Sequence, residues 1–360
     1  MVRQWAKVQP LAFTLWQMTL DELKRALQEH LSDGLVTIVG LGLSASHGLP
    51  TMAQLSDYLR REIPILLAGI SDSSWDEVDA GLASGMGLEM ALNSLPDGSH
   101  LISNIVNVSA VLMLASETRA VQEILRSGEA MPFSLLVPHL LHASNRAEII
   151  TTNYDRLIEV AVEMAGYRVE CAFPSAYYSR LDPVASRQQV QGLVSADGRH
   201  VRMRTSPHVR LSKPHGSLDW YLVANEPVRS VLDLDEPRLM VSPGSSKYLR
   251  GYDIPFDLHR ERANKAIDRA ARFLIIGYGF NDHHLETHLR SRLAAGVPAI
   301  VLTKELTPRA RQCVLDHPQI LALEMSSQPS GTHVLTSASD EVFEGIAIWE
   351  LSNFVQEVLT

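Results

Sequence analysis

The chain has 360 residues, 46% of them apolar and 20% charged, a globular composition with ample length for a large core. A net charge of -9 and a pI of about 5.9 leave no electrostatic footprint for nucleic acid, so direct nucleic-acid binding is not expected. The most apolar internal run, Leu101 to Ala115, is broken by Ser103, Asn104, Asn107 and Ser109 and is too short and polar to span a bilayer. Arg3, Gln4 and Lys7 stand where a signal peptide needs an apolar core, and a cytoplasmic chain with no membrane contact is expected. The modest basic stretch Arg199, Arg202, Arg204 and Arg210 reads as a solvated segment. Cys171 and Cys313 are far apart and belong to no Cys-x-x-Cys pair, so reduced thiols are expected and metal is not.

In chain order, Leu20, Leu23 and Leu27 recur at helical spacing from Thr19 to His30, with Thr19 placed to cap the helix and Asp33-Gly34 to break it. Leu35 to Val39 is a short apolar run, as expected of a strand buried on both faces. A glycine-rich turn, Gly40 to Gly48, follows, and Thr51 caps a helix whose Met52, Leu55 and Leu59 face the sheet. Residues 65–145 read as a helical insertion. Glu148 to Thr152 reads as a strand, Tyr154 to Ala165 as a helix and Arg168 to Phe173 as a further strand. A polar insertion spans 175–208, with a hairpin turn at Asp197-Gly198. Strands are expected at Val209 to Ser212, Leu239 to Ser242, Phe273 to Ile276, Ala299 to Thr303 and Ile320 to Glu324, with helices at Asp282 to Ala294 and Glu341 to Leu359. Apolar β-runs alternating with helices predict an α/β, doubly wound parallel sheet of Rossmann type. The division is an N-terminal helical segment, 1–34, and a Rossmann domain, 35–360, carrying both insertions.

Four segments carry chemistry. Gly40-Leu41-Gly42-Leu43-Ser44, running on to Gly48, is a glycine turn after a strand, where a backbone can approach a pyrophosphate and Ser44 can donate a hydroxyl; its third glycine is displaced from the Gly-x-Gly-x-x-Gly count. Thr151-Thr152-Asn153-Tyr154-Asp155 lies at a strand's carboxyl end, where ligands of open α/β sheets bind, although Asn153 or Asp155 could equally cap a helix. In Lys213-Pro214-His215-Gly216-Ser217-Leu218-Asp219-Trp220, His215 is placed for proton transfer near neutral pH. Gly277-Tyr278-Gly279-Phe280-Asn281-Asp282 repeats the strand, glycine turn, helix order; Asp282 reads equally as an N-cap, and His284/His288 have metal-pair spacing with no acidic residue to complete a motif.

These residues resemble the sirtuin-like NAD-consuming superfamily, in particular its bacterial anti-phage defence branch. The family's Gly-Ala-Gly-x-Ser loop is similar to Gly40 to Ser44, with Leu41 in place of Ala and no Asp-Phe-Arg after Pro50. Its Gln-Asn-x-Asp is similar to Thr152-Asn153-Tyr154-Asp155, its His-Gly to His215-Gly216, and the segment that holds adenosine to Gly277-Tyr278-Gly279. The defence-type motifs Asn-Tyr-Asp, His-Gly-Ser-Leu-Asp-Trp and Gly-Tyr-x-Phe-Asn-Asp match almost word for word.

The resemblance implies NAD as substrate and cleavage of its nicotinamide–ribose bond, with no metal. It assigns Asn153, Asp155 and His215 to catalysis. It assigns Gly40, Gly42, Ser44, Thr152, Gly277, Tyr278, Gly279 and Asn281 to NAD binding. Asn153 would orient a water or ribose hydroxyl, Asp155 hold its loop or contact nicotinamide, and His215 act as general base. Protein-deacylating sirtuins carry a four-cysteine zinc ribbon, which two cysteines cannot build, so an NAD hydrolase is implied ahead of an atypical NAD-dependent deacylase or a non-catalytic nucleotide-sensing assembly module. The resemblance further implies a homo-oligomer and a HerA-type ATPase as partner.

Overall fold

The computed structural model describes residues 18–68, 72–95, 99–197, 200–242, 254–327 and 330–360. Arg3, Gln4, Lys7, Gly198 and Arg199, and the side chain of His284, lie outside the described residues.

Helix α1 (Leu20–His30) starts with a capping box in which Thr19 and Glu22 satisfy each other's backbone N–H groups. Strand β1 (Leu35–Val39) leads through Gly40 into the short α2 (Leu41–Ala45). Then α3 (Met52–Leu66), with a second capping box at Thr51, α4 (Ser73–Ala83), α5 (Leu88–Leu92), α6 (His100–Ser127) and α7 (Pro132–His142) follow. β2 (Arg146–Thr151), α8 (Leu157–Met164) and β3 (Arg168–Glu170) come next. The middle of the chain is β-rich: β4 (Tyr178–Arg180), α9 (Pro183–Gln188), β5 (Gln191–Asp197), β6 (His200–Thr205), β7 (His208–Ser212), β8 (Gly216–Val223), β9 (Glu226–Ser230) and β10 (Arg238–Met240). The last third runs α10 (Phe256–Arg269), β11 (Arg272–Ile276), α11 (His283–Ala294), β12 (Ala299–Leu302), α12 (Pro308–Asp316), β13 (Ile320–Met325), β14 (Thr332–Leu335) and β15 (Asp340–Phe343). It closes with α13 (Leu351–Phe354) and a π-helical turn, Val355–Leu359.

Nine strands form one sheet in the order β15-β14-β13-β12-β11-β1-β2-β7-β3. From β13 to β3 every pairing is parallel, and only the β13–β14 and β14–β15 pairings are antiparallel. The six strands β7-β2-β1-β11-β12-β13 have the 3-2-1-4-5-6 order of a doubly wound dinucleotide fold, whose ligand crevice lies at the switch point between its first and fourth strands, here β1 and β11. Successive strand residues serve opposite faces. Leu274 and Ile276 pack with α1, α7, α8 and the C-terminal turns, whereas Phe273 and Ile275 pack with α10, α11 and α12.

The helices α3 to α6 bury a separate core around Leu59, Trp75, Leu92 and Ile105. Further along α6, Val106, Ala110 and Met113 pack on Tyr154, Leu218 and Met240. The helical block thus rests on the loop that follows β2 and on strands β8 and β10. A small antiparallel sheet, β10-β8-β9-β4, and the β5-β6 hairpin complete the fold.

The expected helix from Glu341 to Leu359 is not formed over its whole length. Residues 340–343 pair with β14 as a strand, Thr332 opposite Phe343, and Gly345 turns the chain at φ +74° before helical structure begins at Leu351. Ile348, Leu351 and Phe354 are buried, and Phe343, Ile346 and Trp349 lean on the same core, so this apolar set is packing surface. The helix expected from Tyr154 begins at Leu157, because residues 153–156 remain as a loop. The strand expected over Arg168 to Phe173 ends at Glu170, where the chain turns through Ala172 at φ +69°.

Candidate functional site

The four motif-bearing segments lie at the carboxyl ends of four adjacent parallel strands. In spatial order they are the Gly277 turn after β11, the Gly40 turn after β1, the Asn153 loop after β2 and the Lys213–His215 segment after β7. Sheet topology alone therefore gathers residues more than 200 positions apart into one crevice.

The two glycine turns dock on each other. The N–H of Gly40 donates to the carbonyl of Ile276 at 2.9 Å, and that of Gly42 to the carbonyl of Gly277 at 2.9 Å. A Cβ on Gly40 would sit 2.5 Å from the Gly277 oxygen, and one on Gly42 would sit 2.6 Å from the Gly277 Cα. Both glycines serve this backbone-to-backbone contact, and their amides are engaged by protein carbonyls. Gly277 itself has φ +58°, the left-handed region that favours glycine.

The first turn also reaches across to the Asn153 loop. Asn153 Nδ2 donates to the Gly40 carbonyl at 3.0 Å and to Ser44 Oγ at 2.9 Å, and Ser44 Oγ donates to Asp155 Oδ2 at 2.7 Å. A carbonyl can only accept, so the bond to Gly40 fixes which end of the Asn153 amide is nitrogen. Oδ1 then is the end presented away from the turn, and no hydrogen bond from a described residue reaches it. Asp155 Oδ1 accepts from the Leu157 N–H at 3.1 Å, a local turn bond that leads into α8. Burial pushes the Asp155 carboxyl up to about 6, against the opposing pull of Lys213 and of the Ser44 hydroxyl. Asn153 and Asp155 are both buried, and Thr152 is half-buried beside them.

His215 belongs to the next segment. Its Nε2 lies 2.8 Å from Asp282 Oδ2, and its ring centroid is 6.5 Å from that of Tyr154. Asp282 Oδ1 accepts from Leu285 N at 3.3 Å, so one carboxylate both caps α11 and meets the histidine. Gly216 follows at φ +85°, where a Cβ would sit 2.0 Å from the Leu239 carbonyl oxygen; no other residue lets β8 leave the site this close to β10. Tyr154, facing His215, bonds the Val241 carbonyl at 2.5 Å, and its burial pushes the phenol's pKa above its ordinary value.

The second turn's side chains divide. Tyr278 is buried against Phe280, ring centroids 5.3 Å apart, within the core on the α10–α12 face, so its backbone rather than its ring borders the crevice. Gly279 accepts from Thr307 Oγ1 at 2.7 Å, and Asn281 is exposed. His288 pairs with Asp268 at 2.8 Å on the surface. Among the described residues no three His, Cys, Asp or Glu side chains are grouped to hold a metal ion.

Three contributors escaped the sequence reading. Asp282 was read as a cap, and its contact with His215 follows only from the adjacency of β11, β1, β2 and β7. Glu117 of α6 receives the Arg156 N–H at 2.6 Å and its guanidinium at 2.9 Å, anchoring the helical block directly behind the Asn153 loop. Lys213 is wholly buried beneath that loop, with its ammonium 2.6 Å from the Asp155 carbonyl. Its signal was a lysine directly after a buried strand and before Pro214-His215.

Residues 147–311 match the family model described as SIR2-like domain, a span that holds Asn153, Asp155, His215 and the second glycine turn. No curated protein matches the chain. Among solved structures, a Sir2 homologue in complex with NAD is similar at 14% identity over 94% of this chain and 95% of its own, with a TM-score of 0.44. A Sir2 bound to an acetylated peptide is similar at 13% identity over 95% and 98%, with a TM-score of 0.40.

Proposed function

We propose that this chain hydrolyses NAD at its nicotinamide–ribose bond, giving nicotinamide, ADP-ribose and a proton. The observation that carries this reading is the convergence at the β1/β11 switch point of an amide whose nitrogen end is locked onto the first glycine turn, Asn153, and a histidine held by a carboxylate, His215 with Asp282. The match of residues 147–311 to a SIR2-like domain supports NAD as the substrate.

Departure of nicotinamide leaves an oxocarbenium-like ribose, as in glycoside cleavage. Asn153 Oδ1 accepts a hydrogen bond from the attacking water or a ribose hydroxyl, and the locked Nδ2 end keeps that acceptor in place. The water's oxygen bonds to the anomeric carbon as the bond to nicotinamide breaks, and His215 takes the proton released. Asp282 sets the imidazole's direction. Ser44 and Asp155 keep Asn153 from rotating, and the docked glycine turns form the floor beneath the dinucleotide. With two cysteines the chain cannot assemble a four-cysteine zinc ribbon, which favours water over a peptide as the acceptor. A role in anti-phage defence beside a HerA-type ATPase, as a cytoplasmic homo-oligomer, belongs to the same proposal.

Nicotinamide release from NAD by the purified protein tests the reading. Asn153→Ala and His215→Ala are each expected to lower it by about 10²–10⁴-fold with NAD binding retained. Wild-type release by His215→Ala would remove the general base from the mechanism. Nicotinamide release that requires an acetylated peptide would replace hydrolysis by deacylation.

A further inference from the structure

We propose that Lys213 is a positioning residue that locks the Asn153 loop and the His215 segment into one register, an assignment that rests on the cleavage reading above. Lys213 is 0% exposed, and its ammonium reaches three oxygens: the Asp155 carbonyl at 2.6 Å, Glu159 Oε1 at 3.1 Å and the Tyr154 carbonyl at 3.4 Å. The first and third belong to the two residues that directly follow Asn153 in its loop. The Tyr154 carbonyl also accepts from Leu218 N at 3.0 Å and Ser217 Oγ at 3.2 Å. Every one of these donors comes from residues 213–218, the segment that carries His215. Lys213's own N–H donates to Nδ1 of the buried His259 at 3.2 Å, which fixes where that segment starts.

A buried ammonium is costly unless fully paired, and an apolar side chain of similar volume fills such a space with equal or better stability. What a methionine cannot do is aim donors at two consecutive carbonyls of a loop. Glu159, on α8, balances the charge and leaves the carbonyl bonds as the cation's distinctive contribution. Lys213 thereby ties the two strand-end segments together beside the Ser217 and Leu218 bonds, and it alone of these donors also holds the Asp155 carbonyl, so it helps to fix the distance from Asn153 to His215.

The test uses two variants of the full chain. Lys213→Met strands the Glu159 carboxylate in the interior, so Lys213→Met/Glu159→Leu, which removes both charges together, keeps the test valid if the single variant does not fold. In whichever variant folds, amide hydrogen exchange is expected to accelerate together in residues 153–158 and 213–219, while the sheet strands exchange as in wild type. Nicotinamide release is expected to fall by about 10²-fold in kcat with KM for NAD unchanged. Wild-type exchange in both segments, or wild-type kcat, would overturn the clamp. If Asn153→Ala and His215→Ala release nicotinamide like wild type, the cleavage reading fails, and the exchange measurement still decides whether the clamp exists.

Discussion

The two glycine turns read alike in sequence, strand then Gly-x-Gly then helix, and they follow neighbouring strands in register, Val39 beside Ile276. Their side chains do different things. The first turn faces the Asn153 loop, with Ser44 bridging Asn153 and Asp155 and the Gly40 carbonyl holding the Asn153 amide. The second makes its side-chain contacts with the His215 segment and the core. It sends Asp282 to His215, buries Tyr278 and Phe280 in the core and takes a bond from Thr307. Each turn thus supports one of the two segments proposed to carry catalysis, and the contact between Gly42 and Gly277 is the joint between them. Similar backbone motifs can carry separate duties when the strand order places different neighbours beside them.

The joint is the place to break this arrangement most severely. Gly42→Ala and Gly277→Ala each put a methyl 2.6 Å from the facing backbone, and at Gly277 the left-handed φ adds strain. A loss of about 3 kcal/mol in denaturant unfolding is expected for each. Gly48, at φ +83°, has nothing within 4 Å of its added methyl, and Gly48→Ala should cost only the left-handed strain, about 1 kcal/mol. Equal losses at the three positions would mean that the turns do not depend on close contact.

The Asp155 carboxyl, bonded to Ser44 of the first turn, reports on how well that side of the site is buried. Its pKa is pushed up to about 6 from an ordinary 3.8, chiefly by burial. The folded chain therefore holds a proton that the unfolded chain releases between those values. The stability this contributes is fully present below about pH 4 and is lost as pH rises through about 6, an amount near 3 kcal/mol. Asp155→Asn carries no such dependence, so the stability of the variant relative to wild type should climb from pH 4 to 6 and then level off. A difference that stays constant with pH would place the charge elsewhere.

How far the sequence could be read follows the same division. β1, β11, β12 and β13 are largely apolar runs between turn residues, and β2 and β7 carry Ala147, Ile149, Val209 and Leu211 at alternate positions, so their existence was plain, and with them the four strand-end segments. The β8–β9 hairpin was missed. Residues 216–221 are buried without alternation, which hides a strand's period, and its two-residue turn is Ala224-Asn225, both at positive φ, where Ala gives no turn signal. Asp282 and Lys213 could be seen as residues but not as partners. Asp282 meets His215 from 67 positions away and Lys213 meets Asp155 from 58, separations that no local pattern encodes. The break at Gly345 was concealed because the apolar residues from Phe343 to Phe354 suit a helix face as well as they suit the strand, turn and short helix that form.

The smallest expected effect separates the turns by what each hydroxyl supports. Ser44→Ala removes the donor to Asp155 Oδ2 and the acceptor of Asn153 Nδ2, both buried, and should cost about 1–3 kcal/mol of stability. Because the Asn153 amide is then held only by the Gly40 carbonyl, nicotinamide release should fall as well. Thr307→Ala removes the bond to Gly279 and the cap on Ala310 N of α12, a loss of about 1 kcal/mol. Those contacts lie behind the second turn, so kcat should hold. A Thr307→Ala variant that lost turnover as Ser44→Ala does would show that the second turn also sets the position of Asn153, and the division between the turns would fall.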